Sequence, residues 1–125
     1  MQNSNSKQKT ELKHRAYFFA LDIISFIDSV RRGDLSAEVI AKQLVRSTTS
    51  IGANIIEAQA ASSKKDFTNF FTHALKSANE SKFWLGLLRD SKKGDEKRIN
   101  TLLQEATELA NILGSSIITL KGKRG

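Results

Sequence analysis

Cysteine is missing from all 125 residues, which excludes a disulfide framework and any thiolate metal site. Proline is missing too, where ordinary usage would supply about 5%. Without the commonest helix breaker and rigid turn maker, long helices are favoured. The two histidines, His14 and His73, share no ligand-type spacing, so no structural zinc site is expected. No apolar run approaches the roughly 18 residues of a membrane span, and the opening MQNSNSKQKTELKH lacks the apolar segment of a secretion signal. Together these absences predict a cytoplasmic chain without membrane contact, metal or cofactor.

What remains is 39% hydrophobic and 26% charged residues, the composition of an ordinary globular domain of this length. Four stretches carry the three-and-four spacing of an amphipathic helix, and no period-two alternation of useful length occurs. Leu12, Ala16, Phe19, Ala20, Ile23, Ile27 and Val30 predict a first helix over about 10–32. A second, over about 36–61, begins at Ser36 as N-cap and carries Ile40, Leu44, Ser47, Ile51, Ile55 and Ala58. Ser63-x-x-Asp66 has the form of a capping box before a third helix over about 64–90, with Phe67, Phe70, Phe71, Ala74, Ala78, Ser81, Leu85 and Leu88 on one face. Gly33 and Gly94 mark turns, and Asp95 caps a fourth helix over about 95–121, striped by Ile99, Leu102, Ala106, Leu109, Leu113, Ile117 and Leu120. Short links force antiparallel neighbours. The expected fold is all-α, an antiparallel up-down-up-down four-helix bundle over 10–121, with basic polar tails at 1–9 and 122–125.

The segment SIGANIIEA at 50–58 places Asn54 and Glu57 in the most apolar part of the second helix. At about 100° per residue, Ser47, Ile51 and Ala58 centre its core face, with Asn54 beside them and Glu57 nearer the flank. Val45, Thr49, Ala53, Ile56 and Ala60 fall on the opposite side, small or apolar where a monomer would carry charge. On the third helix Phe83 and Leu87 form an outward i, i+4 pair. A helix apolar on two faces is normally covered on both. This predicts a homo-oligomer whose interface uses Val45, Ala53, Ile56, Glu57, Phe83 and Leu87.

A catalytic reading of the polar residues fails on geometry. Glu57 and Glu80 lie on antiparallel helices at distances from the connecting turn that differ by about 12 residues, or ~18 Å, too far to act on one substrate. Ala60 and Phe83 stand where a di-iron bundle would have histidine. No nucleophile elbow, phosphate loop or dinucleotide fingerprint is present. Asn54, Glu57 and Glu80 read instead as groups that set helix register and assembly, Trp84 as a packing aromatic and His73 as a flank residue. No enzymatic activity is expected.

Charge is the more informative signal. Twenty Lys and Arg against thirteen Asp and Glu give +7. An antiparallel bundle gathers Lys7, Lys9, Lys13, Arg15, Lys64, Lys65, Lys121, Lys123 and Arg124 at one end against Glu11, Glu57 and Asp66, a local excess of six. The other end is nearly balanced. A basic end of this kind is either a solvated rim or a surface for the RNA or DNA backbone, whose affinity would fall steeply with salt. Nothing resembles a base-reading helix-turn-helix, so binding would follow backbone and shape.

The pattern Gln43-Leu-x-x-Ser47-x-x-Ser50-Ile51-x-x-Asn54-Ile55-x-Glu57-Ala58, then Asp66-Phe67 and Phe70, then Ala74-Leu75-x-x-Ala78-x-Glu80 and Trp84-Leu85, resembles the bacterial four-helix-bundle family first noticed as products of intervening sequences in 23S rRNA genes. That family includes the accessory variability determinant proteins of diversity-generating retroelements. The resemblance covers about residues 12–120 and implies a barrel-shaped, non-enzymatic homopentamer. For accessory members it also implies binding to RNA or DNA and to a reverse transcriptase. Two functions are therefore expected as alternatives: a nucleic-acid-binding accessory protein that contacts structured RNA, or a structural module that binds another protein through an apolar groove.

Overall fold

A computed structural model describes residues 12–122. Four helices follow one another: α1 (Leu12–Ile27), α2 (Leu35–Gln59), α3 (Lys64–Asp90) and α4 (Glu96–Gly122). Each packs on its neighbours in the ring α1-α2-α3-α4, most extensively α2 with α3 and least α1 with α4. This is the expected four-helix bundle. The two expected tails lie wholly or mainly outside the described residues.

The core is the set of periodic positions. Phe19, Ile23, Leu44, Ile51, Ile55, Leu85, Leu88, Ile99, Leu109 and Leu113 are almost completely withdrawn from solvent, each contributing roughly 1.5–3 kcal/mol by burial. Phe26, which the spacing did not select, is fully buried beside them. Its ring seals the end of the bundle that holds the α1–α2 and α3–α4 links, with the Arg98 guanidinium 5.7 Å from the ring centroid.

α2 and α3 approach closely because the residues between them are small. Ser47, Ser81, Ala74 and Ala78 are fully buried at this seam. The hydroxyls interlock: Ser81 Oγ lies 2.8 Å from Ser47 Oγ and 2.8 Å from the Ser77 carbonyl oxygen, and Ser77 Oγ donates to Ser50 Oγ at 2.9 Å. Asn54 Nδ2 donates to the Ser50 carbonyl oxygen at 2.9 Å and to Ser50 Oγ at 3.0 Å. Asn54 thus reaches α3 only through Ser50, within a seam that aligns the helices along their axes. No described buried side-chain nitrogen or oxygen lacks a partner, which is what makes buried hydroxyls tolerable.

Helix ends depart from expectation in three places. α1 was expected to continue to 32 but ends at Ile27, because Ser29 Oγ donates to the Phe26 carbonyl oxygen and the Ser29 and Val30 amides bond three residues back, tightening the ladder until it stops. Gly33, at φ +87°, completes the turn. The N-cap of α2 is Asp34, not Ser36. Asp34 Oδ1 accepts from the Ala37 amide at 3.1 Å, and Ser36 only donates to that carboxylate. Ser63 caps α3 and Asp95 caps α4 as expected, accepting from the Asp66 and Arg98 amides.

The third departure is at the end of α3. The Lys93 amide donates to the Leu88 carbonyl oxygen at 2.8 Å and the Lys92 amide to that of Arg89 at 3.1 Å, the paired bonds of a Schellman motif. Its left-handed position falls on Lys92, at φ +62°, and not on Gly94. Gly94 serves space instead: a Cβ there would meet the Phe26 and Ile99 side chains at 3.0 Å.

The two links at this end are tied by Lys93 Nζ, 2.7 Å from Asp34 Oδ2. The Lys93 ammonium first, then the Ala37 amide, lower the Asp34 carboxyl from its ordinary 3.8 to about 2.

Lys92→Gly should raise stability by about 0.5–1 kcal/mol in urea unfolding, since glycine takes the left-handed conformation without steric cost. A second expectation concerns acid. A depressed carboxyl stabilises the fold above its unfolded pKa and loses that contribution as pH falls through the folded one. Asp34→Asn should keep the cap but not the ion pair. The gap in urea midpoint between wild type and this variant should be constant above pH about 4 and shrink towards pH about 2.

Candidate nucleic-acid interface

At the opposite end from Phe26 the bundle is open and basic. The capped start of α3 puts Lys64 and Lys65 in its first turn, and the last turn of α4 brings Lys121 alongside. With Thr68, Asn69 and Leu120 these three lysines line one cleft of 480 Å³. Among the described residues no carboxylate comes within salt-bridge distance of any of them. Their charge is uncompensated and faces the amino end of α3, where the helix dipole also favours an anion. The nearest acid in sequence, Asp66, takes the Ser62 hydroxyl at 3.3 Å.

The remaining expected basic residues divide. Lys13 is half-buried at the rim of this end. Lys7, Lys9, Lys123 and Arg124 lie outside the described residues. Arg15 is already engaged. Its Nε and Nη2 grip Glu105 at 3.1 and 2.7 Å, and Nη2 also meets Glu108 at 2.8 Å. The Glu105 hydrogen bond raises the Arg15 pKa further, and Arg15 in turn holds the Glu108 carboxyl below its ordinary value. Arg15 therefore staples α1 to α4 and is not available to a phosphate.

Beside the lysine cleft, sharing Leu120 with it, a larger slot of 680 Å³ opens between the ends of the four helices. Leu12, Ile55, Phe67, Phe71 and Ile112 form its apolar walls, while Gln59, Ser115, Ser116 and Thr119 supply polar groups. Phe67 stacks on Phe71, centroids 4.7 Å apart and planes inclined by 28°. The slot was not anticipated from spacing, because it arises where α1 and α4 diverge.

The expected oligomer residues fall on two separate surfaces. Ala53 and Ile56 line a 560 Å³ groove between α1 and α2 together with Tyr17, Leu21 and Ile24. Phe83 and Leu87 form an exposed ridge on α3. Val45 is half-buried and packs against the core at the α1–α2 flank. Glu57 is solvent-exposed. Glu80 lies far from it, opposite Arg46 on α2, where it accepts from Arg46 and, at 2.9 Å, from Trp84 Nε1. Arg46 and Glu57 are eleven residues apart, or ~16 Å along α2. His73 is exposed and Trp84 packs on the core edge. The Tyr17, Leu21 and Ile24 stripe escaped the sequence reading although its spacing was visible there.

Among the described residues no group of three or more metal-ligating side chains could hold an ion, and no helix is long and apolar enough to cross a membrane.

Comparison with known proteins gives two findings. The family described as 23S rRNA-intervening sequence protein matches residues 8–115. A crystal structure from Bacteroides thetaiotaomicron VPI-5482, of a protein with unknown function from the S23 ribosomal protein family, is 36% identical to this chain. It covers 85% of this chain and 97% of its own length, with a TM-score of 0.78. No curated protein matches.

Proposed function

The chain belongs to the 23S rRNA-intervening sequence protein family, and from that premise we propose that it is a non-enzymatic, homo-oligomeric accessory protein that binds the backbone of structured RNA. The observation that carries this reading is the cleft of Lys64, Lys65 and Lys121, three ammonium groups gathered from two helices with no carboxylate partner among the described residues. Other described lysines, among them Lys42, Lys76, Lys82, Lys92 and Lys97, also take no carboxylate, and what sets these three apart is that one cleft gathers them. A phosphate completes the cleft, and the bound counterions released from RNA supply the driving force.

Assembly multiplies this surface. The α1–α2 groove and the α3 ridge are different surfaces on one protomer, and the ridge of one copy seated in the groove of the next is a heterologous contact. Such contacts form a ring where the rotation between copies closes, the form taken by the pentamer that the family resemblance implies. On that resemblance alone the reading extends to a reverse transcriptase as protein partner. The second reading, an interaction module without nucleic-acid binding, rests on the same two apolar surfaces, on which Tyr17 is 62% and Phe83 58% exposed.

A salt-titrated binding assay with a labelled hairpin RNA separates the two. Wild type should bind with log K falling linearly in log salt. Lys64, Lys65 and Lys121 changed together to Ala should reduce that slope by about 2–3 per contacting protomer, whereas absence of binding by wild type at low salt leaves only the interaction module. Sedimentation should find a discrete oligomer at micromolar concentration. Phe83→Lys with Leu87→Glu should reduce it to folded monomers; a wild-type monomer would rule out assembly.

A further inference from the structure

The lysine cleft accounts for a phosphate backbone but not for the slot beside it. The slot shares Leu120 as a common wall with the cleft, so a strand whose phosphates lie along Lys64, Lys65 and Lys121 passes its mouth. At 680 Å³ it falls within the range of small-molecule sites, about 300–1,000 Å³. Its lining is mixed in a specific way. A flat aromatic pair, Phe67 on Phe71, forms one wall, and the hydroxyls of Ser115, Ser116 and Thr119 and the amide of Gln59 lie among aliphatic side chains. The Lys13 side chain also lines it.

We propose that this slot receives an unpaired nucleobase of the bound strand, stacked against Phe67 and hydrogen-bonded along its edge by the hydroxyl groups of α4. The inference rests on the nucleic-acid reading above and names what that reading leaves open, the form of the ligand: a bulged, looped or single-stranded segment and not a continuous duplex. The chemistry matches on each side. A base has a polarisable face for the aromatic wall and donors and acceptors at its edge for serine, threonine and glutamine. Its phosphates require cations nearby, and the adjoining cleft supplies Lys64, Lys65 and Lys121. An alkyl chain would meet the apolar walls but make no hydrogen bond to the polar side chains at the rim. A rigid duplex would keep its bases stacked and leave the slot empty. Because stacking is indifferent to base identity, the slot favours unpaired over paired segments with little preference for sequence.

The test uses the full chain and three labelled RNAs of one length: a single strand with 2-aminopurine at its centre, a strand of the same length that is abasic at every position, and a perfect duplex. Binding to the first should quench the 2-aminopurine emission, and the abasic strand and duplex should bind about tenfold more weakly. Phe67→Leu should abolish the quenching and lower affinity for the base-bearing strand about tenfold, leaving that for the abasic strand unchanged. Ser115→Phe, at an exposed position on the rim, should fill the slot and have the same effect in a chain whose thermal unfolding is intact. Equal affinity for base-bearing and abasic strands, or unquenched emission in the complex, overturns the inference while leaving the backbone reading in place. Displacement of a fluorescent fatty acid from the slot that RNA does not compete would also overturn it, assigning the slot to an anionic lipid. Failure of all three RNAs to bind at low salt fails the nucleic-acid reading itself, and the inference with it.

Discussion

The close approach of α2 and α3 is the constraint on which the remainder of the molecule depends. Helices separated by leucines could slide along one another by a turn at modest cost. Helices separated by Ser47, Ser50, Ala74, Ser77, Ala78 and Ser81 cannot, because the hydroxyl pairs Ser47–Ser81 and Ser50–Ser77 meet in a single register. A slip would break both cross-helix bonds, at about 0.5–1.5 kcal/mol each, although Ser47 and Ser81 would keep the Leu44 and Ser77 carbonyl oxygens of their own helices as acceptors. That register positions the α2–α3 turn, and with it the lysines of the first turn of α3. It also sets Glu80 opposite Arg46, which orients Trp84. The polar residues that looked out of place in SIGANIIEA belong to this seam or, in the case of Glu57, to the solvent.

The two ends of the bundle solve the same electrostatic problem in opposite ways. At the Phe26 end, some charges are paired or spent on helix termini, Lys93 with Asp34, Arg89 with Asp90, Asp95 on the amide of Arg98, while Arg31, Arg32, Lys92 and Lys97 take no carboxylate among the described residues. At the other end, α3 opens with two lysines and α4 closes with one, and the ring of helices spreads. The asymmetry in net charge is therefore an asymmetry in local architecture.

Most of the fold was legible because its determinants are local and periodic. Apolar residues at three-and-four spacing select a face whatever the partner, so the core positions of α2, α3 and α4 could be read directly. What escaped reading depended on partners distant in the chain. Arg15 looked free until α4 brought Glu105 and Glu108 to it across about ninety residues. Asp34 was the better cap because Lys93, fifty-nine residues on, fixes its other oxygen. Phe26 was passed over for Ile27, since both lie near the stripe and only the closing of the bundle end decides between them. The slot is invisible to periodicity, being made by the divergence of helices and not by any one of them.

The sparse contact between α1 and α4 also governs how the molecule moves. α1 is the shortest helix, it contributes least to the ring, and the Arg15 ion pairs that fasten it are only partly withdrawn from water. Ions in solution weaken such pairs while leaving the buried serine seam untouched. Sparse fastening of this kind favours local opening at α1 over opening at α2 or α3. The Arg15 pairs act as a latch on the least secured wall of the barrel of helices, and background salt sets how often that latch is open.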